Sequence, residues 1–206
     1  MKHKIGNLYK KIWFPWIYSR RKMRKRIQNK NFTIITPNCM GGLIYHDLGM
    51  RFLSPTINLQ IFPYDRFLLN MKYYFEQELV FLDSNMGFPV ATLGGDITIW
   101  FTHYKTNEEA QSKWYERIKR INWENLYVLG SDIEIDTTEK IKEVIQKVEC
   151  KKIKIFTSKN YSLKGTIYIK KYKNKKCVGN LLAINFISGK RRYEEALDIV
   201  EWLNEE

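Results

Sequence analysis

Apolar residues recur along this chain with two different periods, and the switches between them mark out its elements. Ile5, Leu8, Tyr9, Ile12, Trp13 and Trp16 fall at helical spacing with lysines in the gaps. This predicts an amphipathic segment, aromatic on one side and cationic on the other, that Pro15 kinks or splits. A short β-rich run then predicts a strand at about Thr33–Thr36, and Ser54 to Leu59 reads as a turn entering an extended piece. Between Pro63 and Leu82, the positions Tyr64, Phe67, Leu68, Met71, Tyr74, Phe75 and Leu79 form the i, i+3, i+4 series of a one-sided helix, with Pro63 suited to its first turn.

The second half reads in the same way. Ile97 to Tyr104 predicts a strand with Ile97, Ile99, Phe101 and His103 on one face and Thr98, Trp100 and Thr102 on the other. Thr106-Asn107-Glu108-Glu109 is a capping-box pattern that opens a helix to about Ile121. Leu126–Leu129, a Gly130-Ser131-Asp132 loop, a helix carrying Ile141, Val144, Ile145 and Val148, and Ile153–Phe156 form a strand, helix, strand unit. Such a unit requires at least one parallel pair. Leu181–Ile187 predicts a further strand and Arg192–Leu203 a closing helix. The expected architecture is a single α/β domain over residues 32–206, with layered helices on a mixed, partly parallel sheet. A basic aromatic amphipathic segment over residues 1–31 precedes it.

Charge sharpens that division. Residues 1–31 hold eleven Lys/Arg and no Asp or Glu, whereas the rest of the chain carries 24 basic and 22 acidic residues, a net of +2 out of +13. A cationic segment bearing Trp13, Phe14 and Trp16 beside Lys10, Lys11, Arg20 and Arg21 suits the headgroup region of an anionic membrane. The alternatives are nucleic acid, which no recognisable binding motif supports, and a solvated or partner-docking helix. No run of about 18 apolar residues implies a membrane span, and no cleavage site suggests a signal peptide. The expected location is the cytoplasm, peripheral at the inner face of the cytoplasmic membrane. Three cysteines without C-x-x-C spacing point to free thiols rather than disulfides or zinc. No metal is expected, and the residues name no cofactor.

Candidate chemistry concentrates in Asn38-Cys39-Met40-Gly41-Gly42-Leu43-Ile44-Tyr45-His46-Asp47 after the first strand. If that strand lies in the parallel sheet, the loop opens on the carboxyl edge, where open α/β sheets place ligands. Gly41 and Gly42 allow close approach of an anion to a helix start near Leu43, or they simply make a turn. Cys39 at a helix start would have a lowered pKa, with His46 as base and Asp47 or Asp96 to orient it; the alternative is a buried thiol acting as a small hydrophobe. His103 ends a strand, and Asp96 sits in a glycine turn from which it could hold a sugar hydroxyl. Asp132-Ile133-Glu134 echoes the D-x-D pair of metal-dependent sugar transferases only imperfectly.

Several pieces together resemble a known family. They are Phe32-Thr33-Ile34-Ile35, Asn38-Cys39-x-Gly41-Gly42-x-Ile44-Tyr45-x-Asp47-Leu48-Gly49, Ser54-Pro55-Thr56, Ile99-x-Phe101-x-His103-Tyr104 and Glu108-Glu109-Ala110-x-x-Lys113-Trp114-x-x-Arg117. They are similar to a bacterial domain family of unknown function whose members are often labelled exopolysaccharide biosynthesis proteins. The resemblance spans about residues 20–200 and implies an α/β domain working in capsule, exopolysaccharide or lipopolysaccharide assembly. The expectation is an enzyme of surface polysaccharide biosynthesis, a transferase acting on an activated sugar or lipid-linked glycan, or else a non-catalytic scaffold of the same machinery. In this scheme Asn38, Gly41 and Gly42 bind the polar donor with Asp47 nearby, His46 or His103 is the base, and Asp96 or Asp132 holds hydroxyls.

Overall fold

A computed structural model describes residues 15–205. The chain forms one α/β domain with two four-stranded sheets. Sheet A contains β1 (Thr33–Ile35), β6 (Leu126–Ser131), β7 (Lys152–Thr157) and β8 (Thr166–Tyr168), in the order β1-β6-β7-β8 with every neighbour parallel. Sheet B contains β2 (Gln60–Phe62), β3 (Leu79–Leu82), β4 (Val90–Leu93) and β5 (Ile97–Trp100), antiparallel in the order β2-β5-β4-β3. The Ile61 amide donates to the Pro37 carbonyl, so sheet B begins where β1 ends.

The period-2 alternation of sheet A decides what packs on each side. Ile35, Leu126, Val128 and Ile155 face one core, which also holds the inner face of sheet B and the buried sides of α3 (Tyr64–Leu69), α4 (Met71–Glu76), α5 (Asn107–Ile118) and α6 (Thr138–Lys147). Ile34, Tyr127, Leu129 and Phe156 face a second core with α2 (Met40–Leu48), α7 (Arg192–Ala196), α8 (Ile199–Asn204) and the helical residues 15–26, labelled α1. Met23 and Ile27 lie in that second core. Lys10, Lys11, Trp13, Phe14 and most of the predicted amphipathic segment lie outside the described residues.

The predicted parallel β6–α6–β7 unit is present, and α5 opens as expected: Thr106 Oγ1 accepts from the Glu109 amide at 3.2 Å, while the Glu109 carboxylate turns to the Lys105 amide. Three expectations are corrected. The predicted helix from 63 to 82 is two short helices and a strand. Asn70 leaves helical geometry at φ −134°, and Leu79–Leu82 pairs with Val90–Leu93 instead, an inward Leu79 being compatible with either period. The predicted strand 181–187 is a looped segment, because the side chains of Asn180 and Asn185 accept from the amides two residues on, at Leu182 and Ile187, and so compete with strand pairing. The closing helix is broken at Leu197, and Asp198 restarts it by accepting from the Val200 and Glu201 amides.

Candidate functional site

The carboxyl edge of sheet A is built by the residues that end its strands. Beyond β1, the Thr36 hydroxyl donates to the Asn38 carbonyl and accepts from the Gly41 amide. Asn38 Oδ1 accepts from the Met40 amide, so the first turn of α2 is capped by the protein's own side chains. The two glycines answer a packing need. A Cβ on Gly41 would come within 2.9 Å of Thr36 Oγ1, and one on Gly42 within 2.7 Å of Asn58 Oδ1. The Gly41 amide, expected to face a ligand, is therefore engaged internally.

The other half of the Asn38 side chain crosses to the end of β6. Its Nδ2 donates to Glu134 Oε1 at 3.0 Å, and Ser131 Oγ donates to Glu134 Oε2 at 2.6 Å. Both partners are neutral. Burial raises the Glu134 carboxyl above its ordinary value of 4.5, and the hydrogen bonds offset only part of that rise. Next to it, Asp132 works as a clamp: Oδ2 accepts from the Ser158 amide and hydroxyl at 2.6 and 2.7 Å, and Oδ1 from the Val178 amide at 2.7 Å. One buried carboxylate thus ties together the ends of β6 and β7 and the segment that returns after β8.

That segment is strongly cationic. Between Cys150 and Tyr193 the chain carries thirteen Lys/Arg and no Asp or Glu. The net of +2 beyond residue 31 conceals this block, because residues 32–149 are net −5 and 194–206 net −6. Lys159 follows β7, and Lys170, Lys171, Lys173, Lys175 and Lys176 follow β8, so these lysines, a cationic rim, come from the same carboxyl edge as the Asn38–Glu134–Ser131 cluster, and the Asp132 clamp fixes the end of their segment at Val178.

Within the Cys39, His46, Asp96 and His103 set, two pairs are held apart by the fold. Cys39 precedes α2 and His46 lies in its last turn, about 10 Å apart along the axis at 1.5 Å per residue, beyond direct or one-water contact. Burial pushes the Cys39 thiol above its ordinary 9.0, which is the reverse of an activated nucleophile. Asp96 and His103 flank opposite ends of β5, a strand about 13 Å long. Asp96 accepts from Tyr74 Oη at 2.9 Å and pairs with Arg66, while the His103 side chain is exposed in the turn after the strand. Among the described residues, no group of three or more His, Cys, Asp or Glu is arranged to hold a metal ion. A groove of about 680 Å³ lies elsewhere, beside the start of β7, and is lined by Cys150, Lys151, Lys152, Leu163 and Trp202 among others.

Residues 14–204 match the model of a family described as a domain of unknown function, DUF1919. The chain belongs to the DUF1919 family. It is also 34% identical over 187 residues to an uncharacterised protein of Haemophilus influenzae, covering 89% of each chain.

The family match includes α1, and in this DUF1919 chain α1 is fastened to the domain by buried charge. Arg20, expected at a membrane surface, is only 2% exposed. Its guanidinium pairs with Glu194 of α7 through two contacts, one of 2.6 Å from Nη2, and with Asp47 Oδ2 at 3.2 Å. Asp47, expected to bind ligand, is fully buried and also accepts from Arg191 Nε at 3.1 Å and contacts His46 Nδ1 at 3.2 Å. Both expectations are corrected for the same reason: a buried Arg and a buried carboxylate on different elements satisfy each other. Arg21 remains exposed and Trp16 is half-buried, with Arg20 over its ring. Glu134, Ser131 and the lysine rim were missed as a site; the acid-free run from 150 to 193 was the available signal.

Proposed function

We propose that this DUF1919 domain binds the phosphorylated part of an activated sugar or lipid-linked glycan at the carboxyl edge of sheet A, and acts as a transferase in surface polysaccharide biosynthesis at the cytoplasmic membrane face. The observation that carries this reading is the lysine rim, its segment fixed at Val178 by Asp132, on the same edge as a carboxyl group with only neutral partners. Lysines meet phosphate charge at an edge where open α/β sheets hold ligands. A raised pKa brings Glu134 toward the working pH of a proton-transfer group. In the proposed step an acceptor hydroxyl oxygen bonds to the anomeric carbon of the donor while Glu134 takes the hydroxyl proton. The phosphate leaves with the bonding electron pair, and the lysines stabilise its charge. The polysaccharide setting rests on the motif resemblance.

Titration calorimetry of the purified chain with nucleotide sugars and polyprenyl-phosphate sugars tests this. Binding that weakens at least about tenfold in a Lys173→Glu/Lys175→Glu/Lys176→Glu variant supports it, since each phosphate contact is a charge-assisted bond. No binding by the unaltered chain, or binding to DNA or RNA in preference to both ligand classes, overturns it. A second reading, a non-catalytic binding component of the same machinery, is favoured by the separation of Cys39 from His46 and of Asp96 from His103. Ligand binding without turnover, unchanged by Glu134→Gln, selects it.

A further inference from the structure

The loop from Ile184 to Arg191 presents two strongly exposed apolar side chains. Ile187 is 90% exposed and Phe186 is 63% exposed, side by side at the tip of a turn. The turn is built rather than loose. Ile184 and Arg191 form an isolated antiparallel bridge, the Asn185 amide donates to the Lys190 carbonyl at 2.8 Å, and the Gly189 amide donates to the Asn185 carbonyl at 2.8 Å. Asn185 Oδ1 accepts from the Ile187 amide, so the backbone of the tip is satisfied from within. The packing leaves both large side chains outward, where a monomer in water gains nothing from them.

The base of this turn sits on α1. A Cβ on Gly189 would fall 2.4 Å from the Pro15 carbonyl carbon, and the Gly189 carbonyl accepts from Arg20 Nη2 at 3.1 Å. The buried Arg20–Glu194 pair therefore sets the base of the turn against α1, whose exposed positions include Tyr18, Arg21, Lys22 and Lys25. Those four recur at i, i+3, i+4 and i+7 and share a face. Lys190 is exposed on the turn itself, and the tip lies in the stretch from 150 to 193 that contains no acid. The α7 carboxylates at its base are already engaged, Glu195 by Asn185 and Arg192 and Glu194 by Arg20.

We infer that Phe186 and Ile187 form a membrane-inserting tip, which enters the acyl boundary of an anionic bilayer while the cationic face of α1 and Lys190 meet the headgroups. Two apolar side chains on a hydrogen-bonded turn, with Lys190 in the turn and α1, which carries Arg21, Lys22 and Lys25, at its base, match the double requirement of interfacial binding: buried apolar area plus attraction to anionic lipid. They are too small a patch for a stable protein interface, which buries about 800 Å² on each partner. The inference deepens the membrane-face setting proposed above and rests on it.

Co-sedimentation of the full chain with vesicles of 30% phosphatidylglycerol in phosphatidylcholine tests it. The expected result is binding that falls about tenfold or more in Phe186→Ser/Ile187→Ser, as loss of two inserted apolar side chains requires. Binding to purely phosphatidylcholine vesicles should be weak, and Arg21→Glu/Lys22→Glu/Lys25→Glu should abolish the salt dependence. The tip variant keeps its thermal midpoint and its calorimetric affinity for glycan precursors, which separates the tip from the carboxyl-edge site. Vesicle binding by the unaltered chain that the tip variant retains in full overturns the tip alone. No vesicle binding by the unaltered chain overturns the tip together with the membrane setting. A dimer that becomes monomeric in the tip variant makes the tip a protein contact and also overturns the inference.

Discussion

Two carboxylate clusters lie on neighbouring elements and have opposite electrostatics. At the junction of α1, α2 and α7, Asp47 and Glu194 are saturated by Arg20 and Arg191. At the carboxyl edge of sheet A, Glu134 is held by Asn38 and Ser131, which are neutral, and burial raises its pKa. The first arrangement fastens a helix to a domain, because breaking it strands a charge. The second leaves a carboxyl group without a cationic partner, its pKa raised by burial. A buried acid is thus read as structural or reactive from the charge of its partners, not from its own burial.

The comparison breaks most visibly at Arg20. Arg20→Met leaves Asp47 and Glu194 short of a cation and is expected to cost about 3–5 kcal/mol, measurable by urea denaturation; a loss below about 1 kcal/mol would make the junction no more than a surface pair. Asp132→Ala is expected to cost about 1–3 kcal/mol, since it orphans the Ser158 and Val178 donors. Faster hydrogen exchange at those two amides, with weaker precursor binding, would show that the clamp positions the rim.

Glu134 gives the smaller, pH-dependent contrast. Its folded pKa lies above 4.5, so the native state holds the proton after the unfolded chain has released it, and the carboxyl lowers stability as pH rises from about 4.5 through the folded value. Glu134→Gln is expected to flatten that slope, seen as a smaller drop in the denaturation midpoint between pH 4.5 and 8. An unchanged slope would place the pH dependence elsewhere. Cys39→Ser is expected to have the least effect, under about 1.5 kcal/mol with ligand binding retained. Alkylation of Cys39 at pH 7 should be slow, as its raised pKa requires.

Long periodic segments were legible in the sequence. The β6–α6–β7 unit and α5 follow their patterns closely because burial on one side dictates the period. Of the short antiparallel strands, Ile97–Trp100 was legible, but Leu79–Leu82 and Val90–Leu93 were not, since they are defined by pairing with each other rather than by local preference. The loop after β1 was legible as a place where strand, glycines and cap meet, but not the use of its groups. Arg20 and Asp47 are 27 positions apart, and only the tertiary fold reveals that a cationic segment and a polar loop neutralise each other. Glu134 was passed over because the D-x-D comparison weighed its spacing from Asp132, whereas its importance comes from Asn38, 96 residues earlier.

The acid-free block from 150 to 193, set between segments of net negative charge, has a kinetic consequence. Charge separated in this way gives the molecule an orienting field as well as a net charge. An anionic ligand or surface arriving within about a Debye length would be drawn in with the molecule already turned toward it. Association would then be fast at low ionic strength and slow steeply with added salt, while the dissociation rate, governed by short-range contacts, changed far less.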